Sequence, residues 1–509
     1  MTFDQIFVIA FISFLLYILP VLGVYKMFLK AGTQGWKAFI PIYNTWEMLR
    51  LAERPKHWVF WQFLPIVGWF VTFGIYIEFV KTFGKFKFYQ HALTVFSAGL
   101  YFIYVGFNQK DRFLGAAAAR AHKKSPAREW IDAGVFAIVA ATLIRIFIFE
   151  AYTIPTGSME KTLLVNDFLF VGKFNYGPRI PNTPIAMPFV HHTLPFTNSK
   201  SYVEWAKIPY TRWFASPVER NDVVVFNFPA GDTVINRDEF QSKDPYYDVA
   251  WRLGNGDMNI GRKVIADDPE SYPLIVRPVD KQENYIKRCV AIAGDSLQII
   301  DGILYINGKP GVVPPQAQLY YDVVTKGQRL DEDVLKEEYG FTKLEEEIFP
   351  QGQPNHFIML ITNEGKDKMI KNGFIDSIKV HKEKRSDLFP RDGVHIWQID
   401  DFGPLWVPKK GAVLTLTPEN YALYERVIRV YENNKFEARG EKFFVNDKEA
   451  AEYMFKMDYY WMMGDNRHGS QDSRFWGFVP EDHVVGEAWL IWMSWDGGVR
   501  WKRMFSRIH

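Results

Sequence analysis

Tyr285-Ile286-Lys287-Arg288-Cys289-Val290-Ala291-Ile292 reads as a strand with a lysine on its apolar face. Alternation puts Lys287 on one side with Tyr285 and Cys289, and Arg288 on the other. Burial disfavours an ammonium ion, so a lysine in such a strand is a candidate base. The same kind of segment recurs on either side. Asp222-Val223-Val224-Val225-Phe226, Ile303-Leu304-Tyr305-Ile306 and Ala412-Val413-Leu414-Thr415-Leu416 are short β-branched runs between Gly, Pro and Asn turns. Asn307-Gly308 is a tight-turn signal between extended runs. The chain beyond Glu150 is therefore expected to be mainly β. Residues 311–450 are long and charged, with helices expected near Asp331–Glu338 and Pro418–Tyr431, and read as an inserted α/β cap subdomain.

The first part of the chain differs in character. Four runs lack charged side chains: Ile6–Tyr25, Trp58–Ile77, Ala92–Phe107 and Ala133–Ile144. The first is about as long as a bilayer core requires, with Asp4 before it and Lys26 and Lys30 after it. It lacks a leading basic region and a small-residue cleavage site, and reads as an uncleaved anchor. Residues 108–128 carry six basic side chains, from Lys110 to Arg128, and read as a cytoplasmic loop. Four N-terminal transmembrane helices would then place everything after Phe149 on the outer side. Lys81, Lys85 and Lys87 run against that topology. A re-entrant or interfacial hairpin is the second reading of the middle two runs. The expected organisation is a multi-span region over 1–129, a last anchor over 130–149, a catalytic domain over 150–310 and 451–509, and the insertion over 311–450. Net charge is +2, which gives no case for nucleic acid, and the lone Cys289 excludes an intramolecular disulfide. No zinc-ligand spacing is present, and no metal or cofactor is expected.

Ser158 follows closely on the last apolar run, in Ile154-Pro155-Thr156-Gly157-Ser158-Met159. A serine after Pro-Thr-Gly is by itself an ordinary turn residue. To attack an amide it needs a base within hydrogen-bond reach. None of the histidines beyond Glu150 lies in a nucleophile-elbow or chymotrypsin-like motif, whereas a serine–lysine dyad is a known variant of the same logic. Further segments follow in order: Arg220-Asn221-Asp222 through Phe226, Gly294-Asp295, Gly464-Asp465-Asn466-Arg467, Asp472-Ser473-Arg474 and Gly477-Phe478-Val479-Pro480. Taken together over roughly 130–310 and 455–509, the chain resembles the bacterial type I signal peptidases, membrane enzymes that remove signal peptides from exported proteins.

That resemblance implies a signal-peptidase-type β fold and a set of roles. Ser158 would be the nucleophile and Lys287 the general base. Thr156 and the backbone N–H of Ser158 would form the oxyanion hole, with Thr156 where the family often has Ser. Ser470 would hydrogen-bond and orient the lysine amine. Ile154, Met159, Leu163, Val225, Tyr285 and Ile286 would line pockets for small side chains, which explains Ala-x-Ala-like cleavage sites. Asp465, Asp472 and Arg474 are expected to brace the loop, the last two as a salt bridge. Asn221 stands where Gly is common, and His468 where Asp is common. The implied partners are signal peptides of exported preproteins, the bilayer and the neighbourhood of the export translocon. The implied location is the bacterial inner membrane, multi-pass, with catalysis on the periplasmic side. Trp492, Trp495 and Trp501 suit a bilayer surface, and a β core is an equal reading for Trp492. A catalytically silent membrane scaffold or sensor with such an outer domain is the alternative, and a self-cleaving repressor-type protease is a further rival. Residues 1–129 also fit a fused transport or sensor module.

Overall fold

The computed structural model describes residues 18–64, 67–97, 99–123, 125–197, 199–229, 231, 233–327 and 331–508. It divides into two compact units, residues 1–139 and 140–509.

Unit 1 is helical. Helical residues 18–30 precede Tyr43–Leu51, Val67–Lys81, Phe88–Phe96, Tyr101–Phe107 and Gly115–Ala121. Val24, Phe28, Met48, Phe79 and Phe102 form its buried core. The expected first run lies mostly outside the described residues. The second and third runs are each divided between two helices. Helix Trp58–Trp61 ends before Pro65, where helical backbone is disfavoured, and Val67–Lys81 follows. Gly99, at φ +89°, separates Phe88–Phe96 from Tyr101–Phe107. Among the described residues, one helix is long and apolar enough to cross a membrane: Pro126–Phe147, here α1. Glu78 pairs with Lys81 and Arg54, and Lys85 pairs with Asp111.

Unit 2 is mainly β. The strands that carry the argument are β1 (Phe149–Thr153), β2 (Asp167–Gly172), β3 (Val223–Asn227), β4 (Asn284–Ala291), β5 (Ser296–Ile300) and β6 (Ile303–Ile306). They continue as β7 (Gln318–Thr325), β8 (His356–Thr362), β9 (Ile375–Val380), β10 (Phe402–Trp406), β11 (Tyr459–Met463) and β12 (Val484–Ser494). Among the described residues the largest sheet runs β1-β2-β12-β3-β4-β11, then Val479–Pro480, with Ser506–Arg507 added on β12. All of its pairs are antiparallel. Its two faces feed different cores. Val224, Phe226, Cys289 and Trp476 pack on one. Ile154, Met159, Leu163, Val223 and Val225 pack on the other.

Residues 311–450 do not share one core. Strands β7, β8 and β9, with Ile348–Pro350, form a separate sheet over Val323, Leu335, Met359 and Met369. Strand β10 instead pairs with β5. Helix Pro418–Arg426 carries Leu423 and Tyr424 into the cluster that holds Leu297, Trp461 and Phe478. The reason is apolar matching: Phe402, Leu405 and Tyr424 need a larger partner surface than the small β7–β9 sheet supplies. Trp461 is fully buried between Phe389, Phe402 and Phe478. Trp461→Ala is expected to remove about 3–5 kcal/mol of stability, read as a lowered urea midpoint of the purified protein.

Candidate active site

The turn carrying Ser158 is a short 3₁₀ segment, Gly157–Met159, entered from extended Thr156. It is pinned from below by apolar side chains, since Ile154, Met159 and Leu163 are all buried. Polar contacts hold it from the other side. The backbone N–H of Asn466 donates to the Ser158 carbonyl at 3.1 Å, and its side-chain amide donates to the Gly157 carbonyl at 3.1 Å. Gly464 permits this approach. A Cβ there would lie 2.5 Å from the Ser158 carbonyl oxygen and 2.2 Å from Ser470 Oγ.

Strand β4 brings Lys287 to the same place. Its Nζ lies 2.8 Å from Ser158 Oγ and donates to the Ile286 carbonyl at 2.9 Å. The side chain also passes over the Tyr285 ring at 5.4 Å. Lys287 is buried, and burial lowers its pKa from 10.5 to about 8 against the pull of Asp472 and Asp465. Both of those carboxylates are already paired. Arg288 forms a two-bond ion pair with Asp465 at 2.8 and 2.7 Å. Arg474 does the same with Asp472 at 2.9 and 2.8 Å. Burial acts to raise the Asp472 pKa, but Arg474 overrides it and the carboxyl stays ionised below its usual range. The two arginines take up negative charge that would otherwise favour the ammonium form of Lys287.

The structure distributes the other expected site residues unevenly. Ile286 and Val225 join Ile154, Met159 and Leu163 in one cluster. Tyr285 faces away from that cluster, against Phe228 and Trp476, because adjacent strand residues alternate. Thr156 is exposed just before Ser158. Ser470 is buried beside Gly464, but its Oγ has no hydrogen-bond partner among the described residues. The expected bond from Ser470 to Lys287 is thus not made; the amine is turned to Ser158 and the Ile286 carbonyl instead. His468 is occupied elsewhere, with Nδ1 accepting from the Tyr320 N–H and Nε2 3.0 Å from Asp400. Asn221 adopts φ +76°, a conformation Gly takes freely and Asn tolerates. Its carbonyl accepts from Arg288 at 2.7 Å. Trp492 stacks on Phe170 within the sheet, whereas Trp495 and Trp501 are exposed.

Three supports of the site escaped the sequence reading. Thr162 Oγ1 donates to Asp465 at 2.7 Å. Lys161 reaches into the β7–β9 region, bonding Thr342 Oγ1 at 2.7 Å and Glu347 at 2.6 Å. Gln318, at the start of β7, exchanges backbone bonds with Asp465 and Arg467 at 2.9 and 3.0 Å. No local signal marks these contacts, because each depends on how the insertion folds back.

Comparison with known proteins gives two family matches. The family described as "Signal peptidase, peptidase S26" matches residues 127–346 and 411–495. A "Family of unknown function (DUF5684)" matches residues 36–116. Among curated proteins, Signal peptidase I of Haemophilus influenzae is 26% identical over 394 residues, 75% of this chain and 76% of that protein. Signal peptidase I of Buchnera aphidicola subsp. Acyrthosiphon pisum is 25% identical over 378 residues, 73% and 78% of the respective lengths. Signal peptidase I of Rickettsia canadensis is 29% identical over 187 residues, 36% and 45%.

If the neutral amine of Lys287 is the reactive form, kcat/KM should rise tenfold per pH unit below about 8 and level off above it. Removing a covering arginine should move that inflection. Arg474→Met leaves Asp472 unpaired, raises the Lys287 pKa and shifts the profile to higher pH, measured on a fluorogenic peptide.

Proposed function

The chain belongs to the signal peptidase S26 family, and from that premise we propose that it cleaves signal peptides from exported preproteins with Ser158 as nucleophile and Lys287 as general base. The observation that carries the assignment of roles is the 2.8 Å separation of Ser158 Oγ and Lys287 Nζ, with the lysine buried. It is a serine endopeptidase. Neutral Lys287 accepts the Ser158 hydroxyl proton as Oγ adds to the carbonyl carbon of the scissile amide. The resulting oxyanion accepts hydrogen bonds from the Ser158 N–H and the Thr156 hydroxyl. Collapse breaks the C–N bond, and the ammonium of Lys287 returns the proton to the leaving amine. A water molecule then loses a proton to Lys287, adds to the ester, and releases the acid and free Ser158. The buried wall of Ile154, Met159, Leu163, Val225 and Ile286 supports a preference for small side chains in the substrate. Tyr285 lies on the face of β4 that carries Lys287, its ring 5.4 Å from the lysine amine, and would border the site from that side.

The membrane setting is part of the same proposal. Helix α1 ends two residues before β1, so the catalytic sheet begins where the span ends. A signal peptide held in the same bilayer would meet Ser158 at the outer surface of the inner membrane, near the export translocon. Further spans before α1 belong to this proposal too. A silent scaffold is disfavoured by the proximity of serine and lysine.

Preprotein processing by the full chain in vesicles tests the dyad. Ser158→Ala and Lys287→Ala should each abolish cleavage, and normal cleavage by either overturns the assignment. Thr156→Val should slow turnover about a hundredfold with the melting temperature unchanged; near-normal turnover would remove Thr156 from the oxyanion hole.

A further inference from the structure

A cavity of about 170 Å³ opens beside the C-terminal end of α1, away from the serine and lysine. Six charged side chains line it: Arg145, Glu150, Lys173, Arg179, Asp280 and Lys281. Four are cationic and two anionic, so the walls carry a net charge of +2. The negative charges are unevenly used. Glu150 alone receives both Arg145, at 2.6 Å, and Lys173, at 2.8 Å. Arg179 donates only to neutral oxygens, the Asp482 carbonyl and Asn227 Oδ1. Lys281 is nearly buried, lies over the Tyr202 ring at 5.5 Å and makes no ion pair among the described residues. Asp280 acts on both Arg179 and Lys281 but forms an ion pair with neither among the described residues, so an anion in the cavity would offset the remaining cost of withdrawing these cations from water.

A second observation narrows the ligand. Asp280 Oδ2 accepts from the Thr183 N–H and hydroxyl at 3.0 and 2.8 Å. Its other oxygen, Oδ1, is buried with no hydrogen-bond partner among the described residues. A ligand that satisfies this site presents a hydrogen-bond donor beside its negative charge, and a hydroxyl supplies one. The rim adds a third requirement, because Met187 and Phe189 line the cavity and are also exposed. Next to the end of a membrane helix, exposed apolar side chains suit acyl chains and basic pockets suit headgroup phosphates.

We propose that this cavity binds the headgroup of an anionic, hydroxyl-bearing phospholipid, its phosphate between Arg179 and Lys281 and its hydroxyl on Asp280. This rests on α1 spanning the membrane, but not on the roles of Ser158 and Lys287. The site lies at the ends of β3 and β4, since Asn227 and Asn284 also line it. Lipid bound there would brace the base of the strand that presents Lys287.

The test uses the full chain in neutral detergent, titrated with dihexanoyl phosphatidylglycerol, dihexanoyl phosphatidylcholine or inorganic phosphate, with the melting temperature as readout. A ligand that binds only the folded state raises it saturably. Phosphatidylglycerol should do so, and phosphatidylcholine should not. Lys281→Gln should weaken the apparent affinity by about tenfold or more, and Ser158→Ala should leave it unchanged. Equal shifts with both lipids, or a full phosphatidylglycerol shift in Lys281→Gln, overturn the site. A shift with inorganic phosphate as large as that with phosphatidylglycerol overturns the lipid assignment. Loss of cleavage in Ser158→Ala with the lipid shift intact separates this proposal from the dyad.

Discussion

A lysine amine can serve as a base near neutrality only if water is kept from it. In the proposed mechanism that constraint falls on Lys287, in the middle of a sheet. Strand β4 is covered on both faces, and Lys287 is enclosed with it. The surrounding acids work against the purpose, because a carboxylate nearby stabilises the ammonium. The fold answers with two buried arginines, one on each carboxylate. Neither ion pair touches Ser158, yet both set the charge state of its neighbour. An apolar loop would have avoided the conflict, but Asp472 also accepts from the backbone N–H groups of Gly464 and Arg474, and Asp465 accepts from the Thr162 hydroxyl.

Much of this was legible in the sequence and some was not. The β character beyond Glu150 followed from β-branched runs and turn residues, since a period of two survives in any half-buried sheet. The helices near 331 and 418 were visible as charged or capped segments, and Thr417 caps the second. The placement of Tyr285 and Lys287 on one face of β4, and of Ile286 on the other, follows from alternation. The contacts of Lys161 and Gln318 were not legible. Lys161 and Glu347 lie 186 residues apart, and their meeting depends on the path of the whole insertion. The division of the uncharged runs near 58 and 92 into two helices each was not legible, because hydropathy carries no record of where a helix breaks.

The insertion is thereby more than a decoration. Its first strand joins the backbone of the loop that holds Ser470, and its helix Leu344–Glu347 supplies the carboxylate that meets Lys161. Both sides of the serine turn are therefore attached to residues from 318–347.

The order of strands carries a consequence for biosynthesis. Strand β12, near the C-terminus, lies between β2 and β3, inside the sheet rather than at its edge. Until Val484–Ser494 has been made, β2 and β3 have no common partner, and the sheet that positions Lys287 is open along its middle. A nascent chain halted anywhere before Val484 is an incomplete sheet with no assembled protease, however much of the serine and lysine segments it already contains. The enzyme is switched on by its own completion.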